Sequence, residues 1–241
     1  MHAYETIVLA TERVAEGTLA VHLAKPDEFQ FRAGQAVDLT LLEPAENDAA
    51  GSTRALSIAS APADERLMVA TRLRPESAFK RSLSVLRPQA KVRIEGPSGS
   101  LTLHKNQTKP AVFIAGGIGI TPFMSIAQDA GTTAPQHKVH LFYVNRRPED
   151  AAFLVPLLEL THINPNFHLI ATMTQLNLSH QPWHGETGKV TTSLIGKYIG
   201  RLQGPIYYIA GPPAMVAATR EALIDSGIEE DDIRTEEFSG Y

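Results

Sequence analysis

The stretch Val112-Phe-Ile-Ala-Gly-Gly-Ile-Gly-Ile-Thr-Pro122 decides the fold predicted for the second half of this 241-residue chain. Its first four residues form a short, continuously apolar run, which is typical of a buried parallel strand. Three glycines follow, and we predict a helix with Thr121 as its N-cap and Pro122 in its first position. Glycines let the backbone approach a ligand, and a helix N-terminus offers free N–H groups and a partial positive charge. We therefore predict a phosphate-binding turn that includes Gly116 and Gly119; the alternative is an ordinary tight turn between a strand and a helix.

Outward from this turn, strands and helices alternate to the end of the chain. Strands are predicted at 112–115, 139–144, 167–173, 206–210 and 233–238, and helices at 121–130, 148–160, 191–199 and 213–226. Alternation of this kind indicates a doubly wound parallel sheet with right-handed crossovers. The fold class predicted for residues 107–241 is therefore α/β with five parallel strands.

Residues 1–106 have a different texture, because their apolar runs are short and often alternate with polar residues. Turn residues separate these runs, as is typical of an antiparallel barrel or sandwich. We predict a six-stranded antiparallel β-barrel with one helix at about 78–86, and a surface loop at 43–52. The polar stretch 105–110 links the two halves, and a cleft between such halves is a common ligand site.

Composition excludes several classes of chemistry. The chain has 22 Lys and Arg against 26 Asp and Glu, a net charge of −4, so nucleic acid is not an expected partner. It contains no cysteine, which rules out disulfides, thiolate nucleophiles and Cys-held iron–sulfur clusters within it. No apolar run approaches the ~18 residues of a membrane-spanning helix, and no signal-peptide pattern is present, so a cytoplasmic location is expected. The nine histidines lack metal-ligand spacing, and no metal site is predicted.

Five short motifs, in order along the chain, resemble those of the ferredoxin–NADP⁺ reductase superfamily. They are Arg54-Ala-Leu-Ser-Ile-Ala-Ser60, Glu95-Gly-Pro-Ser-Gly99, Gly116-Gly-Ile-Gly-Ile-Thr-Pro122, Ala210-Gly-Pro-Pro-Ala-Met215 and Glu237-Phe238. Each motif alone is unspecific, but five in order across two differently built halves are a specific pattern. The resemblance implies an FAD-binding barrel domain at 1–106 and an NAD(P)-binding α/β domain at 107–241, without an iron–sulfur domain.

By this resemblance, FAD lies on the barrel half. Arg54 would bind the flavin phosphates through the planar fork of its guanidinium. Ser57 would act in catalysis by donating a hydrogen bond near flavin N5. Leu56 stands where the family has a Tyr that stacks on the flavin, so weaker flavin retention or a shifted potential is expected. The other flavin-binding residues implied are Ala55, Thr71, Ala78, Phe79 and Lys80. The family's usual glycine pair is absent from this last segment, and Lys80, where the family often has Ser, is either a phosphate ligand or a solvated side chain.

The resemblance also implies NADH or NADPH across the cleft from the flavin. The residues implied are those of the glycine turn together with Asn145, Arg146, Thr174, Gly211, Pro212 and Met215. Family members that use NADP often have Ser-Arg where this chain has Thr174-Gln175, which favours NADH. The pair Arg146-Arg147 keeps NADPH open, unless it is simply a charged loop. Ala210 replaces the family's Cys, so altered or slower hydride transfer is expected rather than none.

At the end of the chain, Glu237 is a candidate catalytic acid, and Phe238 or Tyr241 is a candidate cover for the flavin. Plain packing of a C-terminal strand is the alternative. The implied activity is hydride transfer from NAD(P)H to flavin N5, followed by single-electron transfer to a separate acceptor such as a ferredoxin, flavodoxin or haem protein. Two alternatives are a free-flavin or ferric reductase that uses flavin as a substrate, and a catalytically silent nucleotide-binding regulatory subunit.

Overall fold

Two six-stranded sheets, one antiparallel and one parallel, organise the computed structural model, which describes residues 2–200 and 202–238. The predicted fold class is confirmed: an antiparallel half with one helix precedes a doubly wound parallel half. The predicted number of five parallel strands is wrong by one. The additional strand has only two residues, so it has no periodicity that a sequence pattern could show.

The antiparallel half is a barrel. Its strands are β1 (His2–Ala15), β2 (Thr18–Ala24), β3 (Ala36–Leu41), β4 (Thr53–Ser57), β5 (Arg66–Arg72) and β6 (Lys91–Ser98), and its helix is α1 (Ala78–Ser84). The spatial order is β4-β3-β6-β1-β2-β5, and a bridge between Ile58 and Val69 brings the two ends together. Alternate side chains of these strands, such as Leu39, point inward and form an apolar core, which Phe29 from the β2–β3 connection completes.

The parallel half has its sheet between two layers of helices. Its strands are β7 (Ala111–Gly116), β8 (Val139–Asn145), β9 (Phe167–Met173), β10 (Glu186–Thr187), β11 (Ile206–Gly211) and β12 (Ile233–Glu237), in the order β10-β9-β8-β7-β11-β12. Its helices are α2 (Ile120–Thr133), α3 (Leu154–Ile163), α4 (Thr192–Ile199) and α5 (Pro213–Asp225). The strand order reverses beside β7, and the cleft at such a switch point is the usual ligand site of this fold class.

Two predicted helix starts are wrong. A 3-10 turn at Gly117–Gly119 leads directly into α2, and the Thr121 hydroxyl donates to the Ile118 carbonyl at 3.0 Å instead of capping the helix. The helix predicted from residue 148 begins only at Leu154. Before it, Pro148–Asp150 form a 3-10 turn, and Phe153 adopts a left-handed conformation with φ of 59° that interrupts helical geometry.

The two halves meet along a seam of small residues. One apolar cluster contains Ala20, Ala33, Ala59 and Ala70 of the barrel half together with residues of the parallel half. Next to it, a Cβ on Gly34 of the barrel half would lie 2.9 Å from Ile126 Cδ1 of α2, so the two halves pack closely there. The buried Ser125 hydroxyl of α2 also donates to the Ser60 carbonyl at 2.6 Å. The carboxyl edge of the parallel sheet is thereby held against the barrel.

Two kinds of feature do not occur in residues 2–200 and 202–238. No helix there is both long enough and apolar enough to cross a bilayer. No group of three or more His, Asp and Glu side chains there is arranged to hold a metal ion. His140 and His168, with ring centroids 4.5 Å apart, form a pair without a third ligand.

Candidate functional site

A cavity of about 590 Å³ opens at the carboxyl edge of the parallel sheet and extends to β5 of the barrel. The predicted nucleotide-binding residues that line it are Gly116, Asn145, Arg146, Thr174, Pro212 and Met215. Gly119, Thr121, Pro122 and Gly211 do not line it. The cavity also has lining residues that were not predicted, Arg72, Arg74 and Lys189, whose side chains are cationic.

Asn145 presents a buried amide to this cavity. The residue is 5% exposed, and neither its Nδ2 nor its Oδ1 atom finds a hydrogen-bond partner among the described residues. Leaving a buried polar group unpaired costs about 1–3 kcal/mol, so such a group usually has a partner from outside the chain. Its main-chain carbonyl accepts bonds from the amide of Thr174 at 2.9 Å and from the Thr174 hydroxyl at 3.2 Å. The orphan amide therefore fits a ligand that carries both donors and acceptors.

The glycines of the predicted phosphate turn allow two chain turns to touch. A Cβ on Gly119 would overlap the Ala210 carbonyl and lie 2.7 Å from the Gly211 nitrogen. A Cβ on Gly116 would overlap the Met215 sulfur. Close packing thus explains Gly119 without a ligand, as the tight-turn alternative supposed, whereas Gly116 is also exposed to the cavity.

The two arginines after β8 have different surroundings. Arg146 is exposed and lines the cavity. Arg147 instead bonds Asp150 through Nε and Nη2, both at 3.0 Å, and Glu16 through Nη2 at 2.9 Å. Burial alone would raise the pKa of Asp150, but hydrogen bonds from Arg147 and Arg72 hold it below its ordinary value. The guanidinium of Arg147 is therefore engaged in bonds within the protein, and only Arg146 of this pair is placed to contact a phosphate.

A second group of candidate residues lies where β4 meets β12. Ser57, the last residue of β4, is 3% exposed, and its Oγ makes no hydrogen bond of ordinary geometry among the described residues. It nevertheless interacts with the carboxyl group of Glu236, which lies in register with Ala210 of β11. Burial raises the pKa of Glu236, and the Ser57 hydroxyl opposes part of that rise. A carboxyl group with a raised pKa beside a hydroxyl can hold or move a proton.

The predicted acid, Glu237, is not brought to this site. Its side chain is exposed, whereas that of Glu236 is partly buried, because successive side chains of a strand point to opposite faces. Phe238 packs against the shared apolar cluster, and its amide donates to the Gly211 carbonyl at 2.9 Å. Side chains two positions apart on a strand lie on the same face. Because Phe238 is apolar and packs inward, it indicates that Glu236, and not Glu237, lies on the inward face of the strand. The other candidate cover, Tyr241, lies outside the described residues.

The predicted flavin-phosphate groups surround a carboxylate of the chain itself. Arg54 donates through Nη1 to the carbonyls of Ala50, Gly51 and Thr53, and its Nη2 lies 3.7 Å from Asp48 Oδ1. The other Asp48 oxygen accepts the amide hydrogen of Ala78 at 3.0 Å, a bond that lowers the pKa of Asp48. Sequence reasoning treated 43–52 as a plain surface loop and missed this contact. The sequence carried one signal for this contact, the acidic residue Asp48 located six positions before Arg54.

Further cations lie near Arg54. Burial lowers the pKa of Lys80, and the nearby charges of Arg74 and Arg54 lower it further. The Arg74 Nε atom is buried and finds no hydrogen-bond partner among the described residues. Phe79 lies under the Arg54 guanidinium, 5.2 Å from its carbon to the ring centroid. The remaining predicted flavin-binding residues are an exposed Ala55, a partly buried Leu56 at the barrel core and a buried Thr71.

Comparisons with known proteins agree with this architecture. Residues 113–221 match the family model described as the oxidoreductase NAD-binding domain. The structure of Amycolatopsis cytochrome P450 reductase GcoB is similar with a TM-score of 0.84, at 24% identity over 98% of this chain and 70% of that one. The ferredoxin NADP⁺ reductase of Neisseria gonorrhoeae gives a TM-score of 0.81, at 21% identity over 98% and 99%. At these identities the likeness shows the fold.

Two curated relatives match along nearly the whole chain. They are the reductase component of propane 2-monooxygenase from Rhodococcus jostii, 28% identical over 97% of this chain and 63% of the relative, and the reductase component of phenol 2-monooxygenase from a Pseudomonas species, 27% identical over 98% and 65%. A barrel followed by an NAD-binding domain defines a class of pyridine-nucleotide oxidoreductase folds. Within that class, the matched domain and the relatives are similar to proteins of the ferredoxin–NADP⁺ reductase superfamily, the family that the five motifs resemble. It spans slightly less than two thirds of the length of these relatives.

Proposed function

We propose that the protein is an NAD(P)H-dependent flavin oxidoreductase that passes electrons one at a time to a separate acceptor protein. The observation that carries this proposal is the cavity at the carboxyl edge of the parallel sheet, which the buried and unpaired amide of Asn145 lines. The curated relatives are reductase components of oxygenases, which supports an acceptor of that kind. A cytoplasmic location stays a prediction.

The nicotinamide nucleotide fits the cavity of the parallel half, at 107–241. The orphan amide of Asn145 would hold it, Arg146 would meet a phosphate, and the closely packed glycine turn would admit it to the strand ends. Among the described residues, Asp150 is the one acid on the cavity wall and it is paired. Because Arg146 and Lys189 also lie there, both NADH and NADPH are candidate donors.

FAD fits the barrel half, at 1–106, with its ring beside Ser57. When bound there, it supplies the chemistry of accepting a hydride and releasing single electrons. The Ser57 hydroxyl, which also contacts Glu236, would donate to the ring, and Glu236, whose pKa burial raises, would hold the proton that the hydroxyl exchanges. Phe238, fixed by its bond to Gly211, would exclude water from this place.

The test is anaerobic stopped-flow bleaching of the purified yellow protein by NADH and by NADPH. Removing a positioned proton-transfer group typically costs 10²–10⁴-fold, so we expect Ser57→Ala and Glu236→Gln to slow the reaction by about 10²-fold. Glu237→Gln is the matched control and keeps the native rate, because that side chain is exposed. A colourless protein that binds no flavin offered in excess contradicts the proposal.

A second candidate function, a reductase that takes free flavin or ferric complexes as substrate, is favoured by one contact. Asp48 occupies both Arg54 and the Ala78 amide, so a flavin phosphate must displace it before it can bind there. Leu56 also provides no ring for stacking. Loss of the yellow colour on gel filtration, with activity restored by added flavin, distinguishes this function from the first.

A further inference from the structure

A single buried carboxylate joins the two halves of the molecule. The Asp150 side chain is 3% exposed and accepts a bond from Arg72 at 3.1 Å and two bonds from Arg147 at 3.0 Å. Arg72 is the last residue of β5 in the barrel, whereas Arg147 and Asp150 belong to the turn after β8 in the parallel half. The ion pair between Arg72 and Asp150 therefore spans the seam.

A second set of contacts holds the same turn independently of Arg72. Glu16, in the β1–β2 turn, accepts a bond from Arg147 at 2.9 Å, and its amide donates to the Glu149 carbonyl at 2.8 Å. If Arg72 moved away, Asp150 would keep its two-pronged bond with Arg147, and the halves would keep the Glu16 contacts. A buried carboxylate that loses every partner is costly, but one that retains a bidentate guanidinium is not.

Arg72 is the partner that has access to a ligand. Its side chain is 25% exposed, and both Arg72 and Asp150 line the cavity that we assign to the nicotinamide nucleotide. A phosphate in that cavity offers a guanidinium two acceptor oxygens, as a carboxylate does, and the pyrophosphate of a dinucleotide carries two negative charges. The two anions would therefore compete for the same fork.

We infer that Arg72 exchanges partners: it pairs with Asp150 when the cavity holds no nucleotide and turns to the pyrophosphate when a dinucleotide binds. Asp150 is then a positioning residue that restrains Arg72 and weakens nucleotide binding by competing with it. The inference rests on the proposed function, since it requires a dinucleotide in this cavity. It makes one direct tie between the halves conditional on the ligand.

The experiment measures binding of ADP-ribose, which has the pyrophosphate but no nicotinamide, by calorimetry with the full chain. One charge-assisted bond corresponds to about tenfold in affinity, so we expect Asp150→Asn to tighten binding by about tenfold and Arg72→Gln to weaken it by a similar factor. The double variant is expected to bind no more tightly than Arg72→Gln alone, because the gain passes through Arg72. Glu16→Gln, which belongs to the same network but does not contact Arg72, is the control and keeps the native affinity.

Each outcome has a distinct meaning. If the double variant binds ADP-ribose more tightly than Arg72→Gln alone, removal of the negative charge of Asp150 is sufficient for the gain in affinity. This result would overturn the exchange of partners by Arg72. An unchanged or weaker affinity in Asp150→Asn, with the protein folded, also overturns it. If Asp150→Asn does not fold, Arg72→Lys provides the test, because lysine keeps the positive charge but lacks the planar guanidinium group. An ADP-ribose affinity close to native in Arg72→Lys contradicts a bidentate contact by Arg72. A native protein that binds no ADP-ribose overturns the proposed nucleotide site itself, and the exchange with it.

Discussion

The cavity of the parallel half and the region around Arg54 in the barrel half differ in what fills them. The first lies open at strand ends, and its central amide, on Asn145, is left unpaired. In the second, Asp48 of a neighbouring loop forms an ion pair with Arg54 and accepts the hydrogen bond of the Ala78 amide. The comparison teaches that a cleft made by sheet topology is preformed, whereas a site completed by a loop can be closed by that loop's own charges.

The largest effect is expected from the packing that preforms the cavity. Gly119→Ala places a methyl group against the Ala210 backbone, and we expect a loss of about 3 kcal/mol in the free energy of unfolding, measured with urea. Gly196→Ala in α4 is the control, because a Cβ there meets nothing within 4 Å; the better helix propensity of Ala should stabilise by up to about 1 kcal/mol. Equal stability of the two variants would mean that the turns do not rely on close approach.

The second largest effect is expected from acid, which should lower the free energy of unfolding through buried histidines of the parallel half. Burial lowers the pKa of His137 and of His140 to about 4, and both lie in the parallel half. Their folded pKa is below the ordinary 6.5, so the unfolded chain binds more protons between these values, and stability is lost as pH falls from about 6.5 towards 4. Urea unfolding at several pH values measures this loss, and His137→Phe should reduce it. A flat stability profile in that range contradicts the assignment.

Substitution of Asn145 should raise the free energy of unfolding and at the same time weaken ADP-ribose binding. Asn145→Leu removes the unpaired amide from a buried position, so we expect the free energy of unfolding to rise by about 1 kcal/mol. The same change should weaken ADP-ribose binding by about tenfold, because a hydrogen-bonding group of the cavity is lost. Calorimetry and urea unfolding measure both quantities on one sample. Loss of stability would indicate that the amide has a partner within the protein.

The smallest effect should come from opening the barrel-half region. Asp48→Asn weakens the contacts with Arg54 and Ala78, so we expect FAD, followed by quenching of its fluorescence, to bind about three- to tenfold more tightly. Glu46→Gln is the matched control from the same loop, since Glu46 pairs with Arg81 instead. If both variants bind FAD equally, the loop carboxylate does not compete with the flavin.

Local patterns in the sequence were sufficient for the fold and for the position of the cavity. The apolar run before the glycines predicted β7, and the alternation of strands and helices predicted the sheet around it. Both patterns depend on residues that are neighbours in the chain. The choice between Glu236 and Glu237 depends on which face of β12 is buried. The contacts of Asp48 with Ala78 and of Asp150 with Arg72 join residues 30 and 78 positions apart, and no periodicity encodes them.

The alanine seam between the halves has a consequence for how such a protein can diversify. Where Ala20, Ala33, Ala59 and Ala70 join the shared cluster and Gly34 lies against Ile126 of α2, the barrel side of the joint is only as thick as methyl groups and bare main chain. Loops on either side can be exchanged, and new specificities acquired, without altering that thickness. A single larger side chain in the joint would act as a wedge, and every distance measured across the cleft would increase together.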